Sequence, residues 1–211
     1  MKSKAKLFVT IAAVFLAMVA SAVAVVAVLA ARNVTVNTTD ISITYKAENV
    51  VGTVKGYYKY AASTDTDTAV STFTSLNTAD YDGSETDDEV TTWSFAGITG
   101  ITRANNALFI LYEFENESNE YAAECTYTNT NEDNIQVSYC VKTGTNYSDY
   151  SDLTKGGKIE FDVPAATVSG GTTINGVVSC IIKIEVVDVN FNADLEGASF
   201  SWALGYGAAT T

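Results

Sequence analysis

Val178-Ser179-Cys180-Ile181-Ile182-Lys183-Ile184-Glu185-Val186 decides the fold class. Val178, Cys180, Ile182, Ile184 and Val186 recur at a period of two, which puts them on one face of a β-strand and on no single face of a helix. The apolar positions then change phase to Val187, Val189 and Phe191, the slip that a β-bulge produces. The same alternation recurs outward along the chain. Ile41, Ile43 and Tyr45 alternate with Ser42 and Thr44. Val50, Val54, Tyr58 and Tyr60 share a face, with Gly52 and Gly56 between them. Trp93 and Phe95 pair in the same way, as do Ile135, Val137, Tyr139 and Val141, and then Phe200, Trp202, Leu204 and Tyr206. Leu108 to Phe114 is apolar on both sides apart from Glu113, which suits a central strand.

No 3.6-residue stripe appears after residue 32, and Asp82-Gly83, Gly156-Gly157, Gly170-Gly171 and Asn175-Gly176 mark turns. Roughly nine or ten short strands with such spacing read as a sandwich or barrel. The expectation is an all-β fold: one antiparallel β-sandwich, jelly-roll or immunoglobulin-like, over residues 32–211.

Lys2, Lys4 and Lys6 precede an apolar run from Leu7 to Ala31 that only Thr10 and Ser21 interrupt. A basic start followed by such a run is an export signal. The run is long enough to cross a bilayer as a helix, and small residues also offer cleavage after Ala22, Ala24 or Ala30. Residues 1–31 are therefore a signal peptide or a retained N-terminal anchor helix. Either way the body lies outside the cytoplasm, extracellular or at the cell surface.

The chain has 25 acidic and 12 basic residues and no histidine, for a net charge of −13. Residues 1–31 hold three lysines and no acid, so the body alone carries −16. Such a body repels phosphate backbones and anionic lipid, which excludes nucleic acid and leaves only the N-terminal segment to meet a membrane. Without histidine there is no usual general base, no Ser–His or Cys–His nucleophile pair, and not the commonest zinc ligand. There is no C-x-x-C, no G-x-G-x-x-G and no P-loop. A carboxylate pair could still hydrolyse a glycoside, but no pair is singled out. The expectation is a protein without catalytic or cofactor-binding residues.

Calcium is the one cofactor with a candidate site. Asp80, Asp82, Glu85, Asp87 and Asp88 crowd the segment Asp80–Glu89, and D-x-D-G resembles the opening of a calcium loop without the EF-hand spacing. The other reading is a solvated loop whose charges guard a sheet edge. Ser63–Thr68 also reads as a loop. Tyr57 lies on the face opposite Tyr58 and Tyr60, where its ring could meet a glycan or a partner protein. Asn33, Asn37, Asn116 and Asn146 head glycosylation sequons.

Three cysteines allow at most one bridge within the chain. Tyr121–Asn129 and Ile135–Val141 are expected to form a hairpin around residues 131–134. In that hairpin a Cys125–Cys140 pair would set the two apolar faces on opposite sides. Cys125 and Cys180 both lie on apolar faces, and are either bridged in the core or free and buried.

The basic-apolar leader, the alternating strand just after it, and the run Leu108-Phe-Ile-Leu-Tyr-Glu-Phe-Glu-Asn-Glu-Ser118 resemble a group of exported Gram-positive envelope proteins. This is the biofilm-fibre and camelysin-like group of β-sandwiches. The aromatic motif usual just past the leader of that group is missing. The protease activity of some members is not implied, because no metal-ligating histidine exists here. The resemblance implies a structural or adhesive surface protein, a homo-oligomer that assembles into fibres or matrix by lending its N-terminal strand, here Asn33 to Tyr45, to a neighbour. An extracellular glycan- or ligand-binding module is the alternative.

Overall fold

The computed structural model of the protein describes residues 35–37, 41–48, 50–83, 89–95, 100–188 and 190–205. The leader, residues 1–31, lies outside them. In chain order the strands are β1 (Thr35–Asn37), β2 (Ile41–Glu48), β3 (Val51–Ala61), β4 (Thr74–Asp82), β5 (Glu89–Phe95), β6 (Ala107–Asn116), β7 (Tyr121–Thr128) and β8 (Ile135–Thr143). They continue as β9 (Asn146–Tyr147), β10 (Ser151–Asp152), β11 (Lys158–Val163), β12 (Thr167–Ser169), β13 (Thr172–Ile174), β14 (Gly176–Val186), β15 (Asn192–Asp194) and β16 (Ser199–Gly205).

Two sheets form the sandwich. One runs β10-β8-β14-β6-β3-β4, with β9 also on β8, and the other runs β11-β7-β16-β2-β5. Pairing within them is antiparallel except between β2 and β16, which run parallel over seven residue pairs from Ser42–Ser199 to Glu48–Gly205. The stripe of β14 behaves as its spacing requires: Val178, Cys180, Ile182, Ile184 and Val186 all enter the core between the sheets. Strand β6 lies between β14 and β3 and is buried on both faces. Leu108, Ile110, Tyr112 and Phe114 face the main core, while Ala107, Phe109 and Leu111 form a second cluster with Cys140 and Ile181 on the outer side.

Aromatic rings fill the middle. Trp202 sits with its ring centroid 5.1 Å from Tyr112, 4.9 Å from Phe114 and 5.8 Å from Phe161. Trp93 lies 4.5 Å from Tyr45 and presses against β3 from the opposite sheet. Gly56 makes room for it, because a Cβ there would stand 2.5 Å from Cζ3 of Trp93. Gly52 meets backbone instead: its Cβ would fall 2.1 Å from the carbonyl oxygen of Glu115 on the neighbouring strand.

The structure departs from the sequence expectations in four places. First, no bulge continues β14. The strand stops at Val186, and the Asp188 carboxylate accepts the amides of Asn190 (3.1 Å) and Asn192 (3.0 Å). This turn sets Phe191 at φ +59° and returns its ring to the core. Second, β7 and β8 are not a hairpin. β7 pairs with β11 and β16, β8 pairs with β14, and residues 129–134 cross from one sheet to the other. Their apolar faces meet across the core, an outcome that alternation alone does not distinguish from edge pairing. Cys140 consequently lies in the outer cluster, whereas Cys125 and Cys180 face the inner core from opposite sheets. All three thiols are free and buried, and burial pushes each of them up.

Third, Asp80 and Asp82 belong to strand β4 and not to a loop. Fourth, Ile41 to Tyr45, within the segment expected to be lent to a neighbour, is built into this body's own sheet. Ile41, Ile43 and Tyr45 are fully buried between β16 and β5, so removing them would open the sandwich. Asn116, which heads a sequon, is also fully buried, which closes it to a glycosyl group.

Replacing Gly56 by Ala should lower stability by about 1–3 kcal/mol, read from urea midpoints, because a rigid buried indole must move. Alkylation of the native protein should label no cysteine, and labelling after denaturation should modify all three, as intact-mass measurement would show.

Candidate functional site

The outer face of β6 changes character along its length. Ala107, Phe109 and Leu111 are apolar, and the next outward residues are Glu113 and Glu115. The apolar half needs a cover, and residues 62–73 supply it. Val70 and Phe73 pack on the outer cluster, with Tyr57 and Tyr147 at its margins. Tyr57 is thus half-buried packing and not a free ring.

Lys59 ties this cover down. Its ammonium pairs with Asp65 at 2.9 Å, donates to the carbonyl of Asp67, and lies 4.6 Å from the centre of the Phe73 ring. The loop also bonds to itself: Asp65 accepts the Asp67 amide at 2.9 Å, and Asp67 accepts the Ala69 amide at 3.0 Å. The Asp67 amide and then Lys59 hold the Asp65 carboxyl below its ordinary value.

Where this cover ends, a cleft of about 410 Å³ opens toward β9. Glu113, Lys142, Tyr147 and Ser179 form its floor and far wall, and Thr66 to Val70 form the near wall. Its size falls in the usual range of small-molecule sites. Beside it Lys55 and Glu115 make an ion pair at 2.5 Å. Burial, followed by the neighbouring Glu115 charge, raises the Glu113 carboxyl, and Lys55 and Lys142 oppose that only in part. Burial also raises the Tyr147 hydroxyl, which bonds Ser179. The cleft therefore offers a carboxyl that holds its proton more readily than usual, a cation and several hydroxyls. Glu113 and Glu115 share the outer face of one strand.

The acidic segment is only partly in view. Asp80 is exposed on β4 and accepts the Thr53 hydroxyl at 2.9 Å, and Asp82 ends the strand. Glu85, Asp87 and Asp88 lie outside the described residues. Among the described residues no three acidic or thiol groups come together as a metal site. The Glu113–Lys142 cleft had only one trace in the sequence. Glu113 and Glu115 are the charged positions at i and i+2 in a largely apolar strand, and nothing local placed Lys142 or the Thr66–Val70 wall beside them.

No protein-family model matches this chain, and no curated protein does. Among solved structures, the major pilin from Streptococcus pyogenes aligns over 80% of this chain and 99% of its own, with 6% identity and a TM-score of 0.22. Two point variants of that pilin align over the same shares, one at 6% identity and TM-score 0.24, the other at 9% and 0.17. Scores this low leave the fold described above to stand on its own topology.

Because the folded state raises the Glu113 carboxyl, it holds that proton to higher pH than the unfolded chain does. The associated stability is present at low pH and lost as pH rises from the unfolded value through the raised one. Glu113→Gln should flatten that segment of the profile, measured as urea midpoints between about pH 4 and about pH 7.

Proposed function

We propose that this chain is an exported, non-catalytic structural subunit of the cell surface that associates with its own kind by exchanging its N-terminal strand. One observation carries the reading. β2 lies near the start of the chain yet sits inside the five-stranded sheet, between β16 and β5, and sends Ile41, Ile43, Tyr45 and Ala47 into the core. Only residues 49–50 join it to β3 in the other sheet. A neighbour's β2 would make the same contacts in the same slot, so exchange leaves the contact energy nearly unchanged while linking two bodies. The leader and the acidic, histidine-free body support the exported setting.

The hydroxyls of Thr44 on β2 and Thr92 on β5 lie 3.3 Å apart across a directly paired position. Cysteines at both positions are close enough to bridge. The exported Thr44→Cys, Thr92→Cys protein should give a ladder of covalent multimers on a non-reducing denaturing gel after oxidation. A single monomer band, at concentrations where the protein polymerises, would sink strand exchange.

The cleft favours a second reading, a glycan- or ligand-binding module with Glu113 and Lys142 as polar contacts. Saturable binding on a glycan array that Glu113→Ala and Lys142→Ala both reduce at least tenfold would support it. A blank array would remove it.

A further inference from the structure

β12 and β13 form a two-stranded sheet of their own, and all six of their residues are exposed. Gly170 (φ +59°) and Gly171 (φ +81°) make the turn, both in the left-handed region that a two-residue hairpin needs. An isolated hairpin is marginal in water, and this one shows Val168 at 76% exposure and Ile174 at 53%. Its base, in contrast, is held firmly. The fully buried Asn116 donates to the carbonyls of Asn119 (2.7 Å) and Pro164 (2.9 Å) and accepts the Ser118 amide at 2.8 Å. The Ala166 amide donates to the Ser118 carbonyl at 2.8 Å. Gly176 lets the returning strand touch Pro164, whose carbonyl oxygen would stand 1.8 Å from a Cβ there. A fixed base under an arm that the described residues leave uncovered points to a contact with another molecule.

Charge identifies that molecule. Residues 163–182 contain no ionisable side chain other than Cys180, in a chain of net charge −13. Two copies of so acidic a body repel wherever charged faces meet, and the arm is a place where they do not. A matching surface exists along the side of the sheet. The outer edge of β4 is paired with no described strand, and residues 68–79 are likewise uncharged. The Thr78 amide there turns to the Asn77 side chain at 2.9 Å. Asp80 and Asp82 charge only the last part of β4, and the uncharged stretch before them is the part of the edge that can accept an added strand. Register sets the two surfaces apart, although β4 itself returns to the Val51 end at Asp82. Gly176 pairs with Asn116 and so does Gly52, placing the arm at the Glu48 and Val51 end. Thr74 pairs with Tyr58, toward the Ala61 and Ala107 end.

We infer that the β12–β13 arm of one copy adds to the β4 edge of a second copy, giving a head-to-tail contact. Contacts between different surfaces leave both ends free and build open filaments. The inference rests on the self-associating reading above but uses a separate contact from β2 exchange.

The test is sedimentation velocity on the full chain recovered after export. Val168→Asp with Ile174→Asp should raise the concentration at which polymers appear at least tenfold, and Ser75→Lys on the β4 edge should do the same. Thermal midpoints should stay close to wild type, since all three side chains are exposed. Mixing the two variants leaves one intact arm and one intact edge per pair, so the mixture should form larger species than either variant forms alone. Either variant assembling at the wild-type concentration to the wild-type size, or a mixture no larger than its components, would overturn the arm contact. In that case a persisting ladder from the Thr44→Cys, Thr92→Cys protein keeps the strand-exchange reading standing. A wild-type chain that stays monomeric at every concentration overturns both.

Discussion

A β-strand stretch that is apolar on both faces has to be covered on both sides, and β6 imposes that condition from Ala107 to Tyr112. Its inner residues, Leu108, Ile110, Tyr112 and Phe114, require a second sheet. Its outer residues, Ala107, Phe109 and Leu111, require something more, because the sandwich has no third layer. Fully burying a side chain of this size contributes about 1.5–3 kcal/mol, so exposing the outer set would forfeit a large share of a typical domain's stability. The loop over residues 62–73 is the local answer, fastened by the nearly buried Lys59. Where polarity returns at Glu113 the cover is no longer needed, and the cleft opens there. The site is thus the border between the two halves of one strand.

The same condition explains the placement of glycine on β3. With β6 on one side and β4 on the other, β3 faces Trp93 across the core. A side chain at position 56 would hold the sheets apart at the point where the indole reaches the backbone. Close packing of this kind leaves little slack, and it makes the two sheets one unit.

The strands were legible because alternation is a local property. The stripes at 41–45, 135–141 and 178–186 and the doubly apolar run at 108–114 appear in the sequence as they do in the fold. Pairing was not legible. Tyr121–Thr128 and Ile135–Thr143 have the pattern and spacing of a hairpin, but their faces meet across the core and their edges do not. The phase change after Val186 looked like a bulge, because alternation cannot show an aspartate carboxylate capturing two amides and ending the strand. The cleft was hidden for a related reason. Its walls come from residues 66–70, 113, 142, 147 and 179, and no pattern within one segment records that they converge.

The parallel pairing of β2 with β16 has a mechanical consequence. The first long strand and the last lie side by side and point the same way over seven residue pairs. A pull that draws the two ends of the chain apart therefore drags these strands along each other lengthwise. All the backbone hydrogen bonds between them carry the load together, where an antiparallel pair pulled from one end would part bond by bond. A body held at its N-terminal side and tugged from its C-terminal side would resist as a clasp does, through the strand pair that closes the sheet.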